Sequence, residues 1–312
     1  MTERVAVAVG APASSANLGP GFDVFALALD LAEDVVVVRR RGEGVVVRLS
    51  EGSVEGVPEA AEENTCGVVA LEMIRELGIR GGVEIELRKG VPVGVGLGSS
   101  GASAAAAALA MDRLFTLHLS EAELVRYAAR GERVSAGAEH MDNVAASLLG
   151  GFVLVKPDTG RVYRVEPPRN LGVLVCIPSL PRLERKTERL RAVLPVQVPL
   201  RDAVMNLGNA AAILYGFMRG DVEAIGEGMC DVVVEPARAP FVPGYMRVRE
   251  AALRAGAAGV ALSGAGPSVL AIYDRARVEP LSIGEAMVGA FREAGVVARA
   301  YPCRPAGGAR IL

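Results

Sequence analysis

The chain has 312 residues, 51% of them apolar and 22% charged, with a formal net charge of −2. A chain of this length and composition buries a sizeable core, and at roughly 150 residues per domain it reads as two packed lobes or one large domain, two being the working number. Its near-neutral balance, without a long basic run, removes the electrostatic footprint expected of nucleic-acid or membrane-surface binding.

The strand-like run Val5 to Val9 opens the chain, and its early Glu3 and short apolar stretch read as a strand rather than a signal peptide. Next comes Ala11 to Asp23, APASSANLGPGFD, which reads as a stiff Gly/Pro loop able to hold an amide, Asn17, and an anion, Asp23, toward one site. A strand over Asp34 to Arg39, a helix over Gly67 to Leu77 and an alternating strand over Val83 to Leu87 follow, so the first half is mixed α/β. The segment Pro92, Val93, Gly94, Val95, Gly96, Leu97, Gly98, Ser99, Ser100, Gly101 then leads into an Ala-rich helix over Ala102 to Phe115. Glycines let the backbone approach a phosphate, and the helix N-terminus adds partial positive charge, so this is a phosphate cradle in physical terms.

The kind of cradle is narrowed by what surrounds it. Gly96 to Gly101 formally fits G-x-G-x-x-G, but a proline and several residues separate it from the preceding strand, unlike a dinucleotide turn. No lysine stands in the segment, which excludes a Walker loop, and the H-R-D and D-F-G signatures of protein kinases are missing. A nicotinamide-dependent oxidoreductase is left resting on this motif alone.

Ser120 with Glu123 forms a capping box that opens another helix. Glu132, Glu139, His140, Met141, Asp142 and Asn143 then gather acids, an imidazole and an amide in twelve residues, more polar chemistry than a core helix needs. A strand over Phe152 to Val155 and the turn from Pro157 to Gly160 place the lobe boundary near 158, giving domains 1–158 and 159–312. The second half offers a strand at Val173 to Ile177, the polar run Thr187 to Arg191, helices near 200–217 and 245–255, and Glu235-Pro236-Ala237-Arg238. The strand Gly259 to Leu262, the turn Ser263-Gly264-Ala265-Gly266-Pro267-Ser268, and a last helix and strand complete it. The four cysteines are scattered, with no C-x-x-C pair, and read as reduced, mostly buried thiols rather than zinc ligands. Two uncharged windows, Gly90 to Met111 and Gly256 to Tyr273, are too rich in Ala, Gly and Ser to read as membrane spans, so a cytoplasmic protein is expected.

In this order the segments resemble the GHMP kinase superfamily, which includes galactokinases, mevalonate kinases and homoserine kinases. P-x-x-x-G-L-G-S-S is similar to its phosphate motif, S-G-A-G-P-S to its third motif and residues 12–23 to its first. PASSANLGPGFD, HMDN and VEPARAPFVPG resemble the homoserine kinase branch in particular. The resemblance implies an α+β fold, with an N-terminal lobe like ribosomal protein S5 domain 2, a ferredoxin-like C-terminal lobe and the site between them. It implies ATP on Pro92 to Ala102 with Asn64 near the adenine, Mg²⁺ on Ser100 and Glu132, and L-homoserine phosphorylated on its side-chain hydroxyl in threonine biosynthesis. Asp23 and His140 would face the ammonium, and Asn17, Thr187, Arg191 and Arg238 the carboxylate. Asn143 would orient the hydroxyl, Asp142 is a candidate base, and Arg191 is expected in the catalytic set, with Arg189 its rival. A homodimer is likewise implied. Gly101 departs from the alanine common there, and another GHMP kinase, for mevalonate or shikimate, is the neighbouring alternative.

Overall fold

The computed structural model describes residues 4–50, 56–136, 140–181, 183 and 186–312; Glu139 lies outside them. β1 (Ala6–Asn17) and β2 (Gly21–Arg41) form a long antiparallel hairpin. The segment expected as a loop over 11–23 is therefore mostly strand, closed by a turn at 18–20. Pro12, which cannot donate to a ladder, is tolerated because the register shifts between Pro12 and Ala13. β3 (Val45–Leu49) and β4 (Gly82–Arg88), linked through α1 (Thr65–Leu77), extend the sheet, with β3 parallel to β4.

α2 (Ser99–Phe115) is buried on nearly every side. Its alanines let β1, β2, α1, α3 (Glu121–Gly131) and α5 (Met141–Leu149) approach closely, as suits a helix that is apolar all round. The predicted capping box at Ser120 and Glu123 is present. The short α4 (Arg133–Ala136) separates α3 from α5.

β5 (Phe152–Lys156) pairs with β2, and β6 (Arg161–Val165) pairs with β5. The expected boundary near 158 thus falls inside a hairpin of the first sheet, and the passage between sheets lies at 166–170. The chain also returns at its end, where β11 (Arg310–Ile311) pairs with β1.

The second sheet has the antiparallel order β10 (Ala298–Cys303), β7 (Leu171–Pro178), β9 (Val269–Asp274), β8 (Gly259–Leu262), a ferredoxin-like arrangement. Between β7 and β8 run α6 (Lys186–Ala192), α7 (Leu200–Arg219), α8 (Val222–Gly228), α9 (Val234–Arg238) and α10 (Tyr245–Arg254), and α11 (Pro280–Glu293) joins β9 to β10. Phe217 of α7 stacks on Phe152 of β5 with ring centroids 4.0 Å apart, tying the two lobes into one core. Cys66, Cys176 and Cys303 are buried free thiols, and burial pushes Cys66 and Cys176 up to about 12. Among the described residues no helix is long and apolar enough to cross a membrane.

Candidate active site

The glycine-rich loop expected to act as a phosphate cradle is clamped at both ends. Asp34 of β2 is fully buried and accepts the backbone N–H groups of Gly90 and Val91, both at 3.0 Å. Its other oxygen accepts from Ser103 Oγ at 2.6 Å and from Lys89. Lys89 Nζ donates in addition to the carbonyl of Ser99 at 2.8 Å and to Ser103 Oγ at 2.9 Å. Every donor of the ammonium is thus in use, and the start of the loop is tied to the first two turns of α2. A buried ion pair is tolerated when it is this fully hydrogen-bonded, and its use is to fix geometry.

Gly98 and Gly96 show why the loop needs glycine. Both have positive φ, 64° and 90°. A Cβ on Gly98 would stand 2.2 Å from Ser14 Oγ, and one on Gly96 would stand 2.3 Å from the carbonyl oxygen of Ser263. The cradle is thereby packed against β1 on one side and the 263–268 turn on the other. Ser14 N–H donates to Leu97 O and Ser268 N–H to Val95 O, both at 3.1 Å.

This packing leaves a cavity of about 800 Å³ between the lobes, within the range of small-molecule sites. Asn17, Asp23, Asn64, Val93, Gly94, Gly96, Leu97, Gly98, Ser99 and Ser100 line it, with Glu132, His140, Asp142, Asn143, Thr187, Arg191 and Arg238. Pro92, Val95, Gly101 and Ala102 are not among its lining residues. Gly101 and Ala102 are buried within α2, so they support the cradle from behind. Asn64 has a structural occupation as well: it caps α1, accepting from the N–H of Cys66 at 2.9 Å, and donates to Pro58 O at 2.7 Å.

Where the hairpin tip meets the cavity it holds strained backbone. Asn17, Leu18 and Asp23 have φ of 75°, 50° and 58°, a region non-glycine residues occupy where surrounding structure demands it. Asn17 Nδ2 donates to Gly264 O at 3.0 Å. The carboxylate of Asp23 receives Arg191 Nη2 with both oxygens at 2.8 Å, and the same nitrogen lies 2.8 Å from His140 Nε2. Burial and the Arg191 charge hold the His140 imidazole below its ordinary pKa, so its neutral ring can accept. Arg191 rather than Arg189 lines the cavity.

Arg238 is 4% exposed and donates to the carbonyls of Leu190 and Gly264. Its helix is anchored twice. Asp231 accepts the N–H groups of Val233, Val234 and Glu235, and Glu235 accepts that of Leu262. The guanidinium carbons of Arg191 and Arg238 both lie 5.1 Å from the ring centroid of Phe22, which holds two like charges side by side. Asn143 Oδ1 accepts from Ser14 Oγ at 2.9 Å, which turns its Nδ2 into the donor offered to a ligand. The Asp142 carboxyl is buried beside it and pushed up to about 6, against the pull of the Asn143 N–H.

Reading the sequence segment by segment missed Lys89, Asp34, Phe22, Ser14 and Lys186. One signal for two of them was present, because the chain has only three lysines among 34 basic residues, and Lys89 and Lys186 both face this cavity.

Comparison with known proteins identifies the family. The GHMP kinases N terminal domain family matches residues 64–151, and the GHMP kinases C terminal family matches residues 213–282. The homoserine kinase of Thermoplasma volcanium is 42% identical over 268 residues, 86% of this chain and 84% of that protein. That of Methanocella arvoryzae is 42% identical over 306 residues, 98% and 97% of the two chains. The crystal structure of homoserine kinase from Cytophaga hutchinsonii superposes with a TM-score of 0.91 at 35% identity, covering 100% of this chain and 99% of that one. With both family regions matched in order and relatives this similar over most of their length, the chain belongs to the GHMP kinase family, alongside its homoserine kinases.

Proposed function

We propose that the protein is an ATP-dependent kinase that phosphorylates the side-chain hydroxyl of L-homoserine to O-phospho-L-homoserine, a step of threonine biosynthesis carried out in the cytoplasm. The observation that carries the substrate is the Asp23–Arg191 pair with His140 and Arg238 around it. It is an anion and cations arranged as the complement of a zwitterion. A bound amino acid exchanges the pair for its own charges, ammonium to Asp23 and His140, carboxylate to Arg191, Arg238, Asn17 and Thr187. Mevalonate and shikimate carry no ammonium and would leave Asp23 without a ligand cation.

The zwitterion fixed at one end places the distal hydroxyl at Asn143, whose Nδ2 orients it, and Asp142 takes its proton. The hydroxyl oxygen forms the new bond to the γ-phosphorus, the bond from that phosphorus to the β,γ-bridging oxygen breaks, and ADP leaves with the electron pair. Holding the reactants in line supplies much of the acceleration in such a transfer. The nucleotide phosphates lie on the 94–100 cradle at the α2 N-terminus, with the adenine toward Asn64.

The cavity also fits Mg²⁺. It presents the hydroxyl of Ser100 and the buried carboxylate of Glu132, the sparse oxygen set that suffices when substrate phosphates and waters complete the shell. Among the described residues no cluster of three His, Cys, Asp or Glu side chains forms a cage of its own. When bound there, the ion neutralises phosphate charge.

The test is ADP release by the purified protein with Mg²⁺ and ATP, comparing L-homoserine with L-serine, mevalonate, shikimate and no acceptor. Saturable turnover selective for L-homoserine is expected; selectivity for another acceptor would overturn the substrate.

We further propose that two copies pair through α7. No charged residue stands between Asp202 and Arg219. One face of the helix buries Ile213, Gly216 and Phe217, while the opposite face exposes Leu200, Val204, Leu207, Tyr215 and Met218. A helix apolar on both sides has its outer face covered. At about 30 Å its length suits a helix-to-helix contact, and exposed Val196 and Val198 extend the patch toward the ~800 Å² per partner of a stable interface. Light scattering should give a dimer for the wild type and a folded monomer for Leu207→Glu with Met218→Glu. An unchanged mass would remove α7 from the interface.

A further inference from the structure

Among the described residues, four cationic side chains line the cavity: Lys89, Lys186, Arg191 and Arg238. They differ in what they contact. The Lys89 ammonium spends its donors on Asp34, Ser99 and Ser103 below the cradle. Arg191 and Arg238 sit at the zwitterion end around Phe22. We propose that Lys186 is a catalytic residue that binds the γ-phosphate of ATP and stays with the phosphoryl group as it is transferred. This rests on the kinase reading above.

The position of the side chain supports the assignment. Lys186 Nζ donates to Gly94 O at 2.9 Å and to Gly266 O. Gly94 belongs to the phosphate cradle, and Gly266 to the opposing 263–268 turn. The ammonium therefore stands where the two glycine-rich turns meet, over the loop whose following helix points its N-terminus at the same cavity. Its next neighbour in α6, Thr187, lines that cavity too. A bond to a phosphate oxygen is charge-assisted and stronger than one to a neutral carbonyl, so the ammonium exchanges a carbonyl for the nucleotide.

Composition points the same way. This chain uses arginine almost throughout and has only three lysines, yet one is here. A compact ammonium on a flexible stem, with rotatable donors, can follow a phosphoryl group that moves from one oxygen to another, whereas a planar fork is suited to a fixed carboxylate. During the transfer negative charge spreads over the three equatorial oxygens, and a cation held at that point lowers the barrier.

The discriminating experiment is calorimetric binding of MgATP and of MgADP, without acceptor, to the wild type, Lys186→Met and Lys186→Arg. The side chain is only partly buried, so the methionine variant should melt with the wild type. Lys186→Met should bind ATP at least about tenfold more weakly, the loss of one charge-assisted bond, while its affinity for ADP changes less than about twofold. Its kcat should fall about 100-fold, with partial recovery in Lys186→Arg. Equal weakening of ATP and ADP would make Lys186 a loop latch and overturn the proposal, as would unchanged affinity for both. Because binding is read without acceptor, a failure of homoserine turnover in the wild type would strike the substrate reading and leave this result standing.

Discussion

Replacing Asp142 by asparagine should lower kcat by about 10²- to 10⁴-fold while making the protein more stable at neutral pH. Both effects follow from one carboxyl. It is buried, and burial raises it from its ordinary 3.8 to about 6, close to the operating range where a general base is most effective. The wild-type kcat should accordingly fall as pH drops below about 6, and the residual activity of the variant should lack that limb. The stability sign runs oppositely. The folded state binds this proton more tightly than the unfolded chain, so the group's penalty is absent below its unfolded value of 3.8 and grows as pH rises toward about 6. By this linkage the ionised carboxylate costs about 3 kcal/mol above that range. Asp142→Asn removes the cost and can keep the bond from the Asn143 N–H. Denaturant unfolding should show a gain of that order at pH 8 that vanishes near pH 4. A variant with kcat within about tenfold of the wild type would mean that the hydroxyl proton goes to a phosphoryl oxygen instead.

Such a trade-off recurs around the cavity. Left-handed backbone at Asn17, Leu18 and Asp23 costs about 1–3 kcal/mol per residue, and it puts the amide and the carboxylate at the hairpin tip. The Asp34–Lys89 pair is another case of polar groups taken out of water to hold a loop. In each, stability is given up at a residue beside the cavity, and the apolar core around α2 offsets it.

Sequence patterning reached the elements whose cause is local. The alternation at Val83 to Leu87, the capping box at Ser120 and the run Gly259 to Leu262 all became the structures they predict. The Ala-rich helix starts at Ser99 rather than Ala102, because its start is set by Gly98 and by the tertiary bonds that Ser99 Oγ donates to Val91 O and Ser103 Oγ to Asp34, not by helix propensity. The first hairpin escapes local patterning for a similar reason. Asn, Gly and Pro signal a loop, but a register shift lets Pro12 sit in a long strand. β6 is a mostly exposed strand paired to the outer side of β5, so the first sheet continues past the Pro157–Gly160 turn that signals a lobe boundary.

At the site, the motifs carried the residues that lie close together in the chain. Pairings across the fold were beyond them. Arg191 meets Asp23 across 168 residues, and Lys89 meets Asp34 across 55; no window contains either pair. Arg238 is the sharper case, since its motif was legible but its anchoring by Asp231 and Glu235 was not.

That anchoring makes Arg238 the second large effect. Among the described residues its hydrogen bonds go to carbonyl oxygens, not to a carboxylate, and the side chain is buried. A buried guanidinium with only neutral acceptors is incompletely compensated, and an incoming carboxylate completes it. Truncating one partner of such a pair costs about 2–5 kcal/mol in binding. Arg238→Ala should therefore raise the KM for L-homoserine by about 100-fold or more, with a smaller rise in the KM for ATP passed on through the Gly264 turn that packs on the cradle. Loss of the bonds to Leu190 and Gly264 also loosens the turn, so Arg238→Lys serves as the companion variant. It keeps the charge and loses the fork, and its homoserine KM should rise as well, by a smaller factor. If both variants fold and keep a homoserine KM within about threefold of the wild type, Arg238 does not receive the carboxylate, and Arg191 with Asn17 would have to hold the substrate without it.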